Sequence, residues 1–493
     1  MMAGIDLSMK RWDWDYFLAQ RKAVLNLWPT GKELAHAGAI EEAIAYHRAQ
    51  APMKFASLRN EAAEKAGRIQ IVPQVGHALV DQTVDHIKHS EDLLPDRWYV
   101  LTDTYTRKSE YAKADDAVRR SREKNVSYLN GYPLVAHGLK GARAINEASS
   151  AAIGTDNNDE DARLPWEFAL AGGWTWGTIK SIEELIQHSR DYPVDRNIHN
   201  QQYIDRLAAH FTEQGVPILR RASANLPGWD SLGFKVTVSL LEVLLSACQG
   251  VKWIDLSLGI GMNLVQDVAA IQVLKKLARE YLDQMGYADV KIFSWTYFFL
   301  GDWPLERGQM SGQLAWNAAV SALAGCNGMF IKSPDEATTT PTAEGFREGL
   351  HICNQVVRLV AGQRLPESDE LKLERSMIEM EVRALVKSVL ELGEGDLAMG
   401  GARAILSGTL DTMFSPYKYL KSKVKVVRDR NGALRYLDHG LMPLPQDVVD
   451  YHRQRISERE NSEGTKANVN WIVREATWAS MPLIEEVRGR PRA

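Results

Sequence analysis

Short apolar runs alternate with amphipathic helical stretches through the middle of this chain. "RIQIVPQ" (68–74) precedes "DQTVDHIKHSEDLL", and "RWYVLTDT" precedes "EYAKADDAVRRSREKN". "VSYLNGYPLV" (126–135) precedes "GLKGARAINEASS". "GVPILRRAS", "VKWIDLSLG", "VKIFSWTYFFLG" and "GMFIKSP" are each followed by a helical stretch. A brief apolar run bounded by turn residues reads as a buried strand, and apolar spacing of three and four reads as a helix. Seven such units are legible. An eighth is expected within 150–200, where the pattern is weakest. Repeated βα units imply a parallel sheet covered on both faces. The block 68–363 is somewhat longer than the roughly 250 residues of a (β/α)₈ barrel. The expected fold class is therefore α/β, a TIM-type barrel. The competing open, doubly wound sheet would carry a GxGxxG turn. The one glycine-rich turn, "SLGIGMNLVQD", has Leu264 at the third glycine position. Residues 1–67 read as an N-terminal helical extension. Residues 364–493 read as a C-terminal α+β appendage, with a long helix at "SDELKLERSMIEMEVRALVKSVLELG" and an Asn-Gly hairpin in "KVKVVRDRNGALRYLDHG".

Composition narrows the function classes. The chain has 493 residues, 45% hydrophobic and 25% charged, with a net charge of −4. That balance offers no footprint for nucleic acid or an anionic membrane. No apolar run reaches the length of a membrane span, and "MMAGIDLSMKRWDWDYF" lacks a signal-peptide core, so a cytoplasmic protein is expected. Cys248, Cys326 and Cys353 show no CxxC spacing, and the 12 histidines form no HExxH. Neither a disulfide frame nor a protein-ligated metal is expected.

In a barrel, chemistry sits at the C-terminal strand ends. Those ends carry Gln74, Gly76 and His77; Asp103, Tyr105 and Arg107; and Asn130, Gly131 and His137. They continue with Arg220 and Arg221, Ser257 and Gly259, Trp295, Tyr297 and Asp302, and Lys332 and Glu336. Arg107 directly after a core strand reads either as a solvated charge or as a hook for an anion. Aromatics cluster nearby, at Tyr132, Trp174, Trp176, Trp295, Tyr297, Phe298, Phe299 and Trp303. They suit either barrel packing or a mouth for a large planar cofactor. No nucleophile elbow or P-loop is present.

Six segments resemble one family in its own order. They are "TDTYTRKSEY", "LNGYPLVAHGLKGAR", "QYIDRLAAHFTEQGVPI", "NLVQDVAAIQVL", "IKSPDEATTTPT" and "GDLAMGGARAILSGTLDTMFSPYKYL". The family is the large (epsilon) subunit of glutamate mutase, or methylaspartate mutase, and the resemblance runs from about residue 70 onward. It implies a (β/α)₈ barrel closing over adenosylcobalamin. It also implies a separate small subunit with the cobalamin-binding DxHxxG motif, which this chain lacks, and a homodimer of the large subunit. The implied chemistry is radical: cobalt–carbon homolysis, hydrogen abstraction and migration of a carbon group. The implied cofactor contacts are Gly76, Asn130, Gly131, His137, Lys332 and Glu336, the last two gripping the adenosyl ribose. Arg107 matches one of three arginines that hold substrate carboxylates, a task suited to a planar guanidinium.

The substrate end departs from the family. Gln74 stands where the resemblance implies an arginine, and a second arginine is lost near Ala152, while Arg163 remains. Trp174 and Thr175 match an aromatic-Thr pair, and Trp176 follows. Ungapped alignment puts Thr178 at the position of the glutamate for the substrate amine, and Glu184 and His188 at two tyrosines. Losing one partner of a buried charge pair costs roughly 2–5 kcal/mol, so two lost arginines weaken glutamate binding about a thousandfold. Arg220 or Arg221 would have to compensate. The leading expectation is an isomerase of glutamate mutase type acting on another amino acid or carboxylic acid, such as a 2-oxo acid in specialised metabolism. The alternatives are a true glutamate mutase with a rearranged claw, a non-catalytic scaffold barrel, and a Schiff-base enzyme using Lys332.

Overall fold

The computed structural model describes residues 2–156, 160–477 and 479. Nine segments form one parallel sheet: β1 (Gln70–Val72), β2 (Gln74–Val75), β3 (Arg97–Leu101), β4 (Ala152–Asp156), β5 (Trp176–Ile179), β6 (Leu219–Ala224), β7 (Trp253–Gly259), β8 (Lys291–Tyr297) and β9 (Gly328–Phe330). β1 pairs with β9, and β2 pairs with β3. Only Pro73 separates β1 from β2, so the two are halves of one strand and the sheet closes on itself. Proline lacks an N–H, which divides the strand between its two neighbours. The Pro73 carbonyl accepts from Tyr99 N (3.1 Å), and the Val72 carbonyl from Ile331 N (3.1 Å). One divided strand and seven whole ones make the eight positions of the expected barrel.

Two strand expectations need correction. Residues 126–135 are not a strand: Tyr132 makes a single bridge to Thr102, and Pro133 ends the pairing. The window 150–200 holds two strands, β4 and β5. Both are short and built around glycine, which hid them. A Cβ at Gly154 would lie 2.3 Å from the Trp176 ring, so the tryptophan fills the space its neighbour leaves.

The barrel interior is polar at depth. Arg97 NH1 donates to Asp255 Oδ2 (2.7 Å), and Asn60 Nδ2 donates to Asp255 Oδ1 (2.6 Å). Gln70 Nε2 donates to Asn60 Oδ1 (2.7 Å). The Arg97 guanidinium also lies 4.4 Å from the Trp295 ring centroid. All four polar residues are buried, and Asn60 comes from the N-terminal helix Ala56–Lys65. The helical extension thus reaches the barrel interior.

Helix Leu232–Cys248 is buried at every position, because it lies between β6 and β7 on one side and helix Asp369–Leu392 on the other. The C-terminal hairpin pairs β10 (Lys425–Arg428) with β11 (Leu434–Asp438), and Gly432 adopts φ +83° at its turn. Glu242 on helix Leu232–Cys248 accepts from Ser181 N (2.8 Å), Ser181 Oγ (2.7 Å) and Glu183 N (3.3 Å). It therefore holds the start of helix Ile182–Gln187. Burial pushes its pKa up to about 7 from an ordinary 4.5. Between those values the folded chain keeps a proton that the unfolded chain releases, so stability falls as pH rises. Glu242→Gln is expected to remove a loss of about 3 kcal/mol between pH 4.5 and 7, read as a flatter pH dependence of urea unfolding.

Candidate active site

The C-terminal strand ends surround a cavity of about 360 Å³. Gln74, Tyr297 and Lys332 meet on one wall. Gln74 Nε2 donates to Tyr297 Oη (3.3 Å), and Lys332 Nζ donates to Gln74 Oε1 (3.0 Å). Lys332 also donates to Glu336 Oε1 (2.9 Å), four residues on in the turn after β9, and lies 5.2 Å from the Trp303 ring centroid. Glu336 Oε2 is buried and accepts no hydrogen bond among the described residues.

Arg107 forms part of the cavity wall from the short helix Thr104–Arg107. Three local features aim it. Asp103 caps the helix, accepting from Tyr105 N (2.9 Å) and Thr106 N (3.2 Å). Asn130 Oδ1 accepts from Thr104 N and Thr104 Oγ1, both at 3.0 Å. Arg107 Nε donates to the Thr102 carbonyl (2.7 Å). The terminal amino groups donate to no protein acceptor among the described residues, which leaves a fork for a planar anion.

Gly131 packs against the same turn: a Cβ there would lie 2.6 Å from the Thr102 carbonyl carbon. A Cβ at Gly76 would lie 2.7 Å from the Leu101 oxygen and 3.1 Å from Gly131 Cα. Gly76, Asn130 and Gly131 therefore gather beside Arg107, where loops meet backbone to backbone. His137 stands behind them. Its Nε2 lies 2.8 Å from the Ala78 carbonyl, its ring stacks on Tyr132, and burial lowers its pKa.

His188 forms part of the cavity wall, with Nδ1 3.1 Å from Glu184 Oε2; Glu184 itself is buried behind it. Other expected residues lie elsewhere. Trp174 precedes β5 and donates its ring N–H to the Ala142 carbonyl (2.9 Å), away from the cavity. Trp176 packs deep in the barrel against Tyr99 and Phe330. Thr178 is buried in β5, outside the cavity wall, as is Ala152 in β4. Arg163 pairs with Asp161 (2.6 Å). Arg220 faces outward to Asp205 (3.0 Å) and Trp166, while Arg221 lies inside the barrel over Phe330 (4.1 Å). Neither belongs to the cavity wall.

The wall also contains residues the sequence reading passed over: Lys180, Gln187, Asn225 and Trp229. Period two could have found two of them, since Trp176, Thr178 and Lys180 alternate, as do Arg221, Ser223 and Asn225. Asn225 N donates to Glu183 Oε1 (2.9 Å), and Gln187 Nε2 donates to the Asn225 carbonyl (2.8 Å). Asn225 Nδ2 and Trp229 Nε1 are buried donors without an acceptor among the described residues. Arg107, Lys180 and Lys332 bring three basic side chains to the wall, Lys180 paired with Glu183 (3.7 Å) and Lys332 with Glu336 (2.9 Å), and Tyr297, Trp303 and Leu300 belong to its apolar part.

Residues 52–481 match the family model of the methylaspartate mutase E chain. The chain is 33% identical to the glutamate mutase epsilon subunit of Desulfitobacterium hafniense (strain Y51), covering 99% of this chain and 100% of that protein. It is 34% identical to the glutamate mutase epsilon subunit of Yersinia enterocolitica, covering 95% and 97%. It is 33% identical to that of Escherichia coli O157:H7, again covering 95% and 97%.

Proposed function

This chain belongs to the methylaspartate mutase E chain family, isomerases that serve as the large subunit of a cobalamin-dependent mutase, and we propose that its substrate is a carboxylic acid other than plain glutamate. The observation that carries this reading is that, among the described residues, Arg107 is the single guanidinium in the cavity wall. The Gln74 amide is occupied by Lys332 and Tyr297, and Arg163 and Arg220 are bound to carboxylates elsewhere. One bidentate hook, two lysines and an aromatic-aliphatic wall suit an acid with an apolar or aromatic group, or a 2-oxo acid.

The rim residues fit the adenosyl form of cobalamin. Glu336 Oε2 is a buried acceptor without a donor among the described residues, which a ribose hydroxyl would supply, and Lys332 holds the other Glu336 oxygen in place. Gly76, Asn130 and Gly131, backed by His137, stand on the neighbouring rim and are the residues that would meet the rest of the cofactor. When bound, the cofactor supplies hydrogen-atom abstraction through homolysis of its cobalt–carbon bond. The chain holds the acid on Arg107, turns its apolar part toward Trp303 and Leu300, and keeps water from the reacting carbon. A small cobalamin-binding subunit completes the enzyme, which works as a homodimer of large subunits in the cytoplasm. Among the described residues no helix is long and apolar enough to cross a membrane.

The test combines this chain, a small cobalamin-binding subunit and adenosylcobalamin. L-glutamate, 3-methylaspartate and a panel of 2-oxo and apolar amino acids are added singly. A change in cofactor absorbance with an electron paramagnetic resonance signal is expected from a panel acid and not from glutamate. The relatives' shared name favours a second reading, in which Lys180 and Lys332 replace the missing arginines and glutamate is the substrate. A signal with glutamate, together with methylaspartate product, selects it. Silence with every acid leaves the scaffold barrel.

A further inference from the structure

The segment "GTLDTMFSPYKYL" (408–420) belongs to the C-terminal appendage, far in sequence from any barrel strand. Its side chains nevertheless reach two loops of the cavity. Ser415 Oγ donates to the Ile186 carbonyl (2.6 Å), directly before the wall residues Gln187 and His188. Tyr417 Oη donates to the Tyr192 carbonyl (2.8 Å), and Lys418 N to the Arg190 carbonyl (3.0 Å). Those three bonds hold the last turn of helix Ile182–Gln187 and the loop after it at its middle and end. On the loop after β6, the Thr412 hydroxyl donates to Asp230, and the Phe414 ring meets the wall residue Trp229 edge-on at 6.0 Å. Phe414 sits at φ +61° and is 55% exposed. A left-handed, exposed phenylalanine is uncommon, and here its neighbours Thr412, Ser415 and Tyr417 fix it from both sides.

We propose that residues 412–418 are a strap that positions these two loops, with Ser415 and Phe414 as positioning residues for substrate binding. The site is then built by the barrel and the appendage together. The remaining stitches run to the loops' own neighbours, from Gln187 to the Asn225 carbonyl, Asn225 N to Glu183, Lys108 to the His188 carbonyl and Gly228 N to the Leu300 carbonyl, and the strap is what ties both loops to one further element. A one-ångström loss of position is enough to weaken binding at such a site. The functional half of the inference rests on the cavity being the substrate site; the structural half does not.

The test uses the complex with the small subunit and adenosylcobalamin, and compares Ser415→Ala, Ser415→Thr and Phe414→Ala with the parent. Hydrogen exchange is read at amides 187–192 and 228–231 and at the barrel strands. The expected result is about tenfold faster exchange in both loops for the alanine variants, unchanged strands, and recovery of 187–192 in Ser415→Thr. Unchanged loops, or faster exchange throughout the chain, overturn the strap. With whichever panel acid gives the resonance signal, the acid concentration for half-maximal signal is expected to rise about tenfold at an unchanged maximal amplitude. An unchanged half-maximal concentration overturns the positioning role. Silence with every acid removes the proposed function, and the exchange measurement still decides the strap.

Discussion

Arg107→Ala is expected to raise the acid concentration for half-maximal turnover by at least about thirtyfold. The guanidinium is held at Nε by the Thr102 carbonyl, which spends one edge and leaves the terminal fork for the ligand. Truncating one member of a desolvated charge pair costs about 2–5 kcal/mol, and thirtyfold is the lower bound of that range. Arg107→Lys restores charge without the planar fork, so it should recover only part of the affinity. Maximal turnover should change less than the half-saturating concentration, because the hook holds ground state and transition state alike. The measurement is steady-state turnover with the panel acid that gives the signal. An unchanged half-saturating concentration would hand the carboxylate to Lys180 or Lys332.

Asp255→Ala is expected to destabilise the chain by about 3–5 kcal/mol. The carboxylate accepts from Arg97 on one oxygen and Asn60 on the other, at the centre of the barrel, where Arg97 and Asp255 are both fully buried. Burial raises the pKa of Asp255, which the Arg97 charge and its hydrogen bond oppose. Removing the carboxylate leaves the buried Arg97 guanidinium, among the described residues, with the Ala56 carbonyl and Asn60 as its acceptors and the Trp295 ring beside it. The paired replacement Arg97→Met with Asp255→Leu should cost much less, since neither charge then needs a partner. Urea unfolding of the three proteins measures this. Equal destabilisation in the single and paired variants would mean that packing, not charge, sets the cost.

The barrel was legible because strands covered on both faces read as apolar runs, and six of the eight positions announced themselves that way. β4 and β5 did not, because Gly154 and Gly177 make room for the rings of Trp176 and Trp166, and small residues carry little hydrophobic signal. The 126–135 run imitated a strand with Val126, Tyr128 and Leu129, yet Gly131 and Pro133 bend it over the end of β3. At the site, the position of Arg107 could be read from the Asp cap that follows β3, and the Lys332–Glu336 contact from its spacing of four. Arg220 and Arg221 are adjacent in a strand, so one faces the helices and the other the barrel interior. Only the register with β5 and β7 decides which. Trp174 was misplaced for a related reason: it lies before β5 begins, toward the opposite end of the barrel. The strap was invisible because its partners are more than 180 residues away.

The division of the first strand at Pro73 also orders events at the ribosome. β1 pairs only with β9, and Lys332 reaches Gln74 across 258 residues of chain. Until synthesis has passed residue 332, β1 lacks its sheet partner and the Lys332–Gln74 contact of the cavity wall cannot form. Closing so long a loop late in synthesis carries an entropy cost that local contacts cannot offset early. The β1 half must therefore wait for its final neighbour while the β2 half pairs early with β3, and a nascent chain stalled before that point presents an edge open to mispairing.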